Sequence, residues 1–295
     1  MQPDRLRRAD GGRHDPVSYT HLSYRKYFGK YAEKYGFKGA FDGMFRQWDD
    51  RAEFWGYLAT FLHTTQTAPI REPYLNLDAM LKGKDFFVLT TNQDTQFVKL
   101  YPESKVAEIQ GDHRFFQCAA CCTDDTWDAV KPVAEMMDAM GEGTSIPKTM
   151  IPRCPHCGGE AFPWVRGYGN FLQGKKYDEQ YEKISHYVLE HKEKKILFLE
   201  FGVGRMTPMF IQEPFWNLTL SLPRARYIAV NDKYDFLPRQ LEDKGMVIVA
   251  DIAKDVYKRQ ASACSWEPAT PWRSWFTRSV PWPPQALLER PSFRV

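Results

Sequence analysis

The chain has 295 residues, 43% of them hydrophobic and 26% charged, enough apolar material for one large domain with a small insertion and typical of a water-soluble globular protein. Its formal net charge is +3, but the excess sits at the ends. Setting aside the ten basic and five acidic side chains of 1–22 and 258–295 leaves 30 basic against 32 acidic, so no nucleic-acid surface is expected. No apolar run approaches the roughly eighteen residues that cross a bilayer, and the N-terminus lacks the apolar segment of a secretory signal.

The first 22 residues read as foreign to the rest of the chain. The segments DPVSYTHL at 15–22 and DVYKRQ at 255–260 resemble translated sequencing-adapter scars, so 1–22 and 256–295 are expected to be non-native or disordered flanks. From 23 to about 65 the aromatic residues Tyr24, Tyr27, Phe28, Tyr31 and Tyr35, and then Phe54, Tyr57, Leu58, Phe61 and Leu62, recur at helical intervals. Stripes of this kind predict core and cleft lining rather than a cofactor box. A short helix over 76–82 leads into the apolar run Phe86, Phe87, Val88 and Leu89, which has strand length. Thr90, Thr91, Asn92, Gln93 and Asp94 then fall at the strand exit, where open α/β sheets place ligand chemistry.

Next come EIQGDHRFFQC, which carries Gln110, Asp112 and a His113 read as a loop histidine, and the cysteines. Cys118 with Cys121 or Cys122 makes one close pair and Cys154 with Cys157 another, so four thiolates can converge on one zinc ion. Pro155, Gly158 and Gly159 give the second pair the form of a knuckle. A closed four-thiolate site has no open position for water, so the metal is expected to build structure and leave the chemistry to other groups. Cysteines paired for metal rather than scattered as disulfides suit a reducing cytoplasm. Between the pairs a helix is expected over 127–140.

Beyond the cysteines, Trp164 to Arg166 reads as a strand, 177–191 as a helix, and 196–201 as a buried parallel strand running into Gly202, Val203 and Gly204. Two glycines at a strand exit permit close approach of a phosphate or ribose. Strands over 227–230 and 246–250 end at Asn231 and Asp251. The predicted fold class is α/β: a Rossmann-like parallel sheet, formed by 23–116 and 163–255, with a small zinc-ribbon domain of 117–162 inserted.

The ordered set TTNQD, QGD, CPHCGG and ILFLEFGVGRMTP resembles the sirtuin (Sir2) family of NAD-dependent protein-modifying enzymes, above all its macrodomain-linked branch, over about 23–255. The resemblance implies NAD and Zn2+ as cofactors, a protein substrate, and a cleft between the two domains. It makes Asn92 the asparagine that bonds near the nicotinamide ribose, Asp94 the reader of the nicotinamide carboxamide, and Asp112 a residue that orients ribose. Thr90, Gly202, Val203, Gly204, Asn231 and Asp251 join the NAD site on the same basis. Cys121 gives the commoner two-residue zinc spacing, whereas Cys122 lines up with the branch and is preferred.

Gln110 carries the functional expectation. It stands where deacylating relatives carry a histidine general base, and a glutamine amide orients a hydroxyl without accepting its proton. That base is worth about 10²- to 10⁴-fold, so deacylation should be impaired while ADP-ribosyl transfer to protein survives. Alternatives are an NAD-dependent deacylase using another base, such as His113, and an inactive zinc-stabilised binding module. The last rests on Gly11 and Gly12, which do not match the family's strand and glycine-rich GAG turn. The YGNFLQG segment also departs from the family's FGE-type peptide loop.

Overall fold

The computed structural model describes residues 24–167, 169–204, 208–233 and 235–252; the expected flanks, 1–22 and 256–295, therefore lie wholly outside the described residues. Helix α1 (Tyr24–Tyr35), the single turn α2 (Asp42–Phe45) and the long α3 (Arg51–Thr67) open the fold. Asp50 starts α3 by accepting a hydrogen bond from the Ala52 amide at 2.9 Å. Almost all of α3 is buried because both of its sides are covered. Phe28, Tyr31, Tyr57 and Phe61 form an aromatic cluster toward α1, with Tyr31 and Tyr57 edge-to-face at 5.3 Å.

The opposite side of α3 presents Trp55, Leu58 and Leu62 to Phe116, Val133, Met136 and Met140. Each of these fully buried side chains contributes about 1.5–3 kcal/mol from removal of apolar surface from water. The core thus clamps the cysteine-bearing segment onto the N-terminal helices.

Helix α4 (Glu72–Leu81) leads to β1 (Val88–Thr90), which pairs in parallel with β2 (Val106–Glu108) after the short helix α5 (Gln96–Leu100). Strand formation begins at Val88, whose partner Val106 starts the ladder. Phe86 and Phe87 lie before it, with rings against Tyr101 at 4.8 Å and Tyr187 at 5.3 Å.

EIQGDHRFFQC does not put His113 on a loop. It ends β2, turns at Ile109–Gln110, and continues as β3 (Gly111–Cys118), an eight-residue strand through the expected 116–117 boundary. On either side of β3 lie β4 (Trp127–Asp128) and β5 (Ala161–Val165), both antiparallel. Helix α6 (Val130–Met140) starts after Trp127, because Trp127 pairs with Phe116 and the Asp128 carboxylate accepts the Val130 and Lys131 amides.

Helix α7 (Lys175–His191), β6 (Ile196–Phe201), α8 (Gln212–Ser221), β7 (Ala225–Asn231) and β8 (Gly245–Val249) complete the α/β fold. The parallel strands lie in two groups, β1–β2 and β6–β7–β8; among the described residues β1 and β6 each pair along one edge only. α7 joins the groups. Its Gln180 Oε1 accepts the Glu108 amide at 3.2 Å and its Lys183 donates to the Val106 carbonyl, while Ile184 and Val188 pack against Phe198 of β6.

Candidate active site

The exit of β1, the β2–β3 turn and the end of β5 meet at one place. Gln93 Nε2 donates to the carbonyl oxygens of Gln110 at 2.9 Å and Arg166 at 3.1 Å, and the Arg166 amide returns a 2.9 Å bond to the Gln110 carbonyl. The turn can lie this close to β5 because Gly111 has φ +96° and no side chain; a Cβ there would meet the Trp164 oxygen at 2.0 Å. The backbone of Gln110 is fixed, and among the described residues its side-chain amide has no hydrogen-bond partner.

Thr90 is buried at the end of β1, and its hydroxyl receives the Asn92 amide at 3.0 Å. The side chains of Asn92 and Asp94 converge on Tyr74 from α4. Tyr74 Oη donates to Asp94 Oδ2 at 2.6 Å and accepts from Asn92 Nδ2 at 2.9 Å. Burial pushes the Asp94 carboxyl pKa upward, opposed by the bonds from Tyr74 and the Gln96 amide and by nearby Lys99.

Asp112 and His113 face inward. Asp112 is buried and occupied by Arg114, whose amide, Nε and terminal nitrogen donate at 2.8, 2.9 and 2.7 Å. Glu108 beside it has a pKa pushed well upward, by burial first and the Asp112 charge second. The expectation of a loop His113 fails because the residue is in the middle of β3, with 0% exposure and its ring against Phe61. Burial pushes its pKa down to about 4. Thr65 Oγ1 gives its proton to the Leu62 carbonyl at 2.8 Å, so it accepts from His113 Nδ1 at 3.1 Å, leaving a neutral, enclosed ring.

The second group of candidate residues lies at the exits of β6, β7 and β8. Gly202 has φ +64° and its amide bonds the Val230 carbonyl. Asn231 Nδ2 donates to the Val203 carbonyl at 2.9 Å and Asn231 Oδ1 accepts the Lys233 amide at 3.0 Å, so both ends of this amide shape the loop. Gly204 comes next with open space at its Cβ position, and Asp251 lies just past Ala250, whose amide bonds the Asn231 carbonyl.

A cavity of about 400 Å³ opens here, lined by Val203, Asn231, Ala229, Val247, Pro208 and Phe236 together with Glu200 and Gln212. Glu200 accepts from Tyr227 Oη at 2.5 Å and Gln212 Nε2 at 3.0 Å, and burial raises its pKa. The two groups of residues approach each other through Arg166, whose guanidinium stacks 5.4 Å from the Phe210 ring beyond β6. An open glycine turn beside a cavity of this size suits a nucleotide.

The thiol sulfurs of Cys118, Cys122, Cys154 and Cys157 lie within 4.8 Å of one another. Cys118 and Cys157 are 3.7 Å apart and Cys122 and Cys154 3.6 Å, too long for disulfides and close to the roughly 3.8 Å edge of a tetrahedron with zinc–sulfur bonds of about 2.3 Å. The donor set therefore fits zinc. Cys121, at φ +49°, is outside this group and its sulfur faces the Gln117 amide at 3.8 Å.

Tyr74, Arg166, Glu200 and Gln212 join the candidate site without having been expected there, and Gln93, expected at the strand exit, joins it with a role that had not been assigned. Gln93 alone carries a sequence signal, since it sits between Asn92 and Asp94.

A protein ADP-ribosyltransferase of Staphylococcus aureus (strain Mu50 / ATCC 700699) is 26% identical over 242 residues, covering 81% of this chain and 76% of its own. A probable bifunctional ADP-ribose hydrolase/ADP-ribosyltransferase of Fusarium oxysporum f. sp. cubense is 29% identical over 213 residues. The chain is matched over 68% of its length there and spans 35% of the fungal protein. No family model matches. Among solved structures, Sir2Tm bound to a propionylated peptide aligns with TM-score 0.44 and 15% identity, covering 79% of this chain and 89% of that one. A Sir2 bound to acetylated peptide gives 0.44 and 15%, covering 75% and 84%.

Proposed function

We propose that this chain is an NAD-dependent, sirtuin-type transferase that moves ADP-ribose onto a protein side chain. The observation that carries the reading is Gln110, a residue with no basic lone pair, held at the β2–β3 turn beside the strand exit bearing Asn92 and Asp94. The ADP-ribosyltransferase activity for which the S. aureus relative is named supports it. Bound NAD would supply an electrophilic ribose carbon with nicotinamide as its leaving group.

The chain's own groups divide the remaining work. Asp94 and Asn92 hold the nicotinamide end, with Asp94 reading the carboxamide and Asn92 a ribose hydroxyl. Gln110 orients the sugar without deprotonating it. Thr90 fixes the loop, Gly202, Val203 and Gly204 admit the phosphates, and Asn231 and Asp251 border the adenosine side. Cys118, Cys122, Cys154 and Cys157 would hold zinc, which ties the β3–β5 unit together and takes no part in bond cleavage. Four free thiols grouped this way suit a reducing, cytoplasmic setting. Among the described residues no helix is long and apolar enough to cross a membrane.

Deacylation with His113 as the base is disfavoured by the enclosure and neutrality of that ring. The reading is tested by NAD-binding calorimetry together with nicotinamide release by the wild type and the Asn92→Ala and Gln110→Ala variants. Binding with release that falls in both variants supports it; a wild type that does not bind NAD returns the chain to a binding module.

A further inference from the structure

Tyr74 lies outside every segment whose pattern pointed to chemistry. It is the third residue of α4, and its ring packs edge-to-face on Phe97 of α5 at 4.9 Å, so a neighbouring helix fixes its direction. Its hydroxyl sits between the two side chains that close the β1 strand exit, 2.6 Å from Asp94 Oδ2 and 2.9 Å from Asn92 Nδ2.

Proton counting gives the contact a direction. An amide nitrogen can only donate, so the Asn92–Tyr74 bond uses a lone pair of the hydroxyl. The single hydroxyl proton is then committed to Asp94 Oδ2, whose other oxygen is held by the Gln96 amide at 3.2 Å. Asn92 is thereby locked in one amide orientation. Its backbone amide is on Thr90, one Nδ2 proton is on Tyr74, and Oδ1 remains as the acceptor end of the side chain. An amide flipped by 180° would set two acceptors against each other.

We propose that Tyr74 is a positioning residue of the nicotinamide-cleaving site, acting as a hydrogen-bond bridge between Asn92 and Asp94 that presents Asn92 Oδ1 to a hydroxyl donor of the bound sugar or of an incoming water. The inference rests on the reading of Asn92 given above. Tyr74 touches no reacting atom; it acts by suppressing the flipped state of Asn92 while donating its own hydroxyl hydrogen bond to Asp94 Oδ2. Such a bond to a charged acceptor is worth about 1.5–3 kcal/mol, which converts to about ten- to a hundredfold in a rate that depends on it.

The test uses Tyr74→Phe, which keeps the ring on Phe97 and deletes only the hydroxyl, alongside Asn92→Ala and the double variant. Steady-state nicotinamide release should show kcat down about tenfold or more in Tyr74→Phe with KM and the calorimetric Kd for NAD within about twofold. On the pH plateau, above the acid limb of every variant, the double variant should be no slower than Asn92→Ala alone, because the hydroxyl then has no amide left to orient. The acid limb of the kcat profile should move to higher pH in Tyr74→Phe, since the lost bond is one that lowers the Asp94 pKa, with Lys99 and Glu108 as the other charged groups that face this carboxylate or act on it.

Wild-type kcat in Tyr74→Phe, or losses that multiply in the double variant, overturns the proposal. Nitrogen-15 spectra of the Asn92 side-chain amide add a readout independent of turnover: slowly exchanging NH₂ signals in the wild type should become fast-exchanging in Tyr74→Phe. If the wild type binds NAD and releases no nicotinamide, the functional reading fails by itself, and unchanged amide exchange in the variant rejects the bridge as well.

Discussion

Gln93 and Gln110, seventeen positions apart, are joined by a 2.9 Å bond from a side-chain amide to a backbone carbonyl, and the same nitrogen reaches Arg166 at 3.1 Å. One residue thus ties the exit of β1 to the β2–β3 turn and to the end of β5. Gln93→Leu should cost about 1–3 kcal/mol by leaving two part-buried carbonyls under-bonded, measured by urea unfolding, and nicotinamide release should fall further than stability accounts for. Wild-type stability with wild-type release would remove Gln93 from the site.

The same turn depends on the absence of a side chain at Gly111. Gly111→Ala should separate β3 from β5, because its Cβ would have to occupy the position of the Trp164 oxygen while adopting φ +96°. A loss of at least about 2 kcal/mol is expected from the backbone strain and the displaced strand pair. Thermal unfolding against the wild type measures it; an unshifted midpoint would contradict the strand pairing described.

Glu108 gives the stability a pH slope. Its folded pKa is raised above the unfolded value, so its protonated form is preferred in the folded state. The contribution is fully present below the unfolded pKa of about 4.5 and is lost as pH rises through the folded value. Glu108→Gln should therefore gain stability relative to the wild type as pH rises from 5 toward 8, measured by denaturant unfolding at each pH. A difference independent of pH would show that this carboxyl is not the source.

For the cysteines, metal analysis of purified protein should find a single zinc ion, lost in Cys122→Ser and retained in Cys121→Ser. Removal by chelator should lower the unfolding midpoint, because the ligands close the β3–β5 unit on which the α3 core rests. Equal zinc in both variants would contradict the assignment of Cys122.

The legibility of the chain tracks the kind of signal each element carries. Helical periodicity in the aromatic stripes exposes α1 and α3, and apolar runs expose β6 and β7, because those patterns are local. β3 is hidden: HRFFQC is a strand by virtue of pairing with β4 and β5 rather than by alternation, so His113 reads as a loop histidine when it is a core residue. Helix α8, between the glycine turn and β7, is missed as well. Asn92, Asp94 and Gln110 are proposed from motif order, whereas Tyr74 and Arg166 come near them only through the folded chain, from α4 and from the end of β5.

The central claim concerns the fate of a sugar that Gln110 accompanies without deprotonating, and one measurement addresses it most directly. Wild type and Gln110→His are incubated with adenine-labelled NAD, an acylated peptide and candidate acceptor protein, and the label is divided between protein-bound ADP-ribose and O-acyl-ADP-ribose. The account predicts label on protein in the wild type with little O-acyl-ADP-ribose, and a rise in the latter of about tenfold or more in Gln110→His as a general base is restored. Efficient O-acyl-ADP-ribose formation by the wild type, or an unchanged division in a variant that still binds NAD, would contradict it.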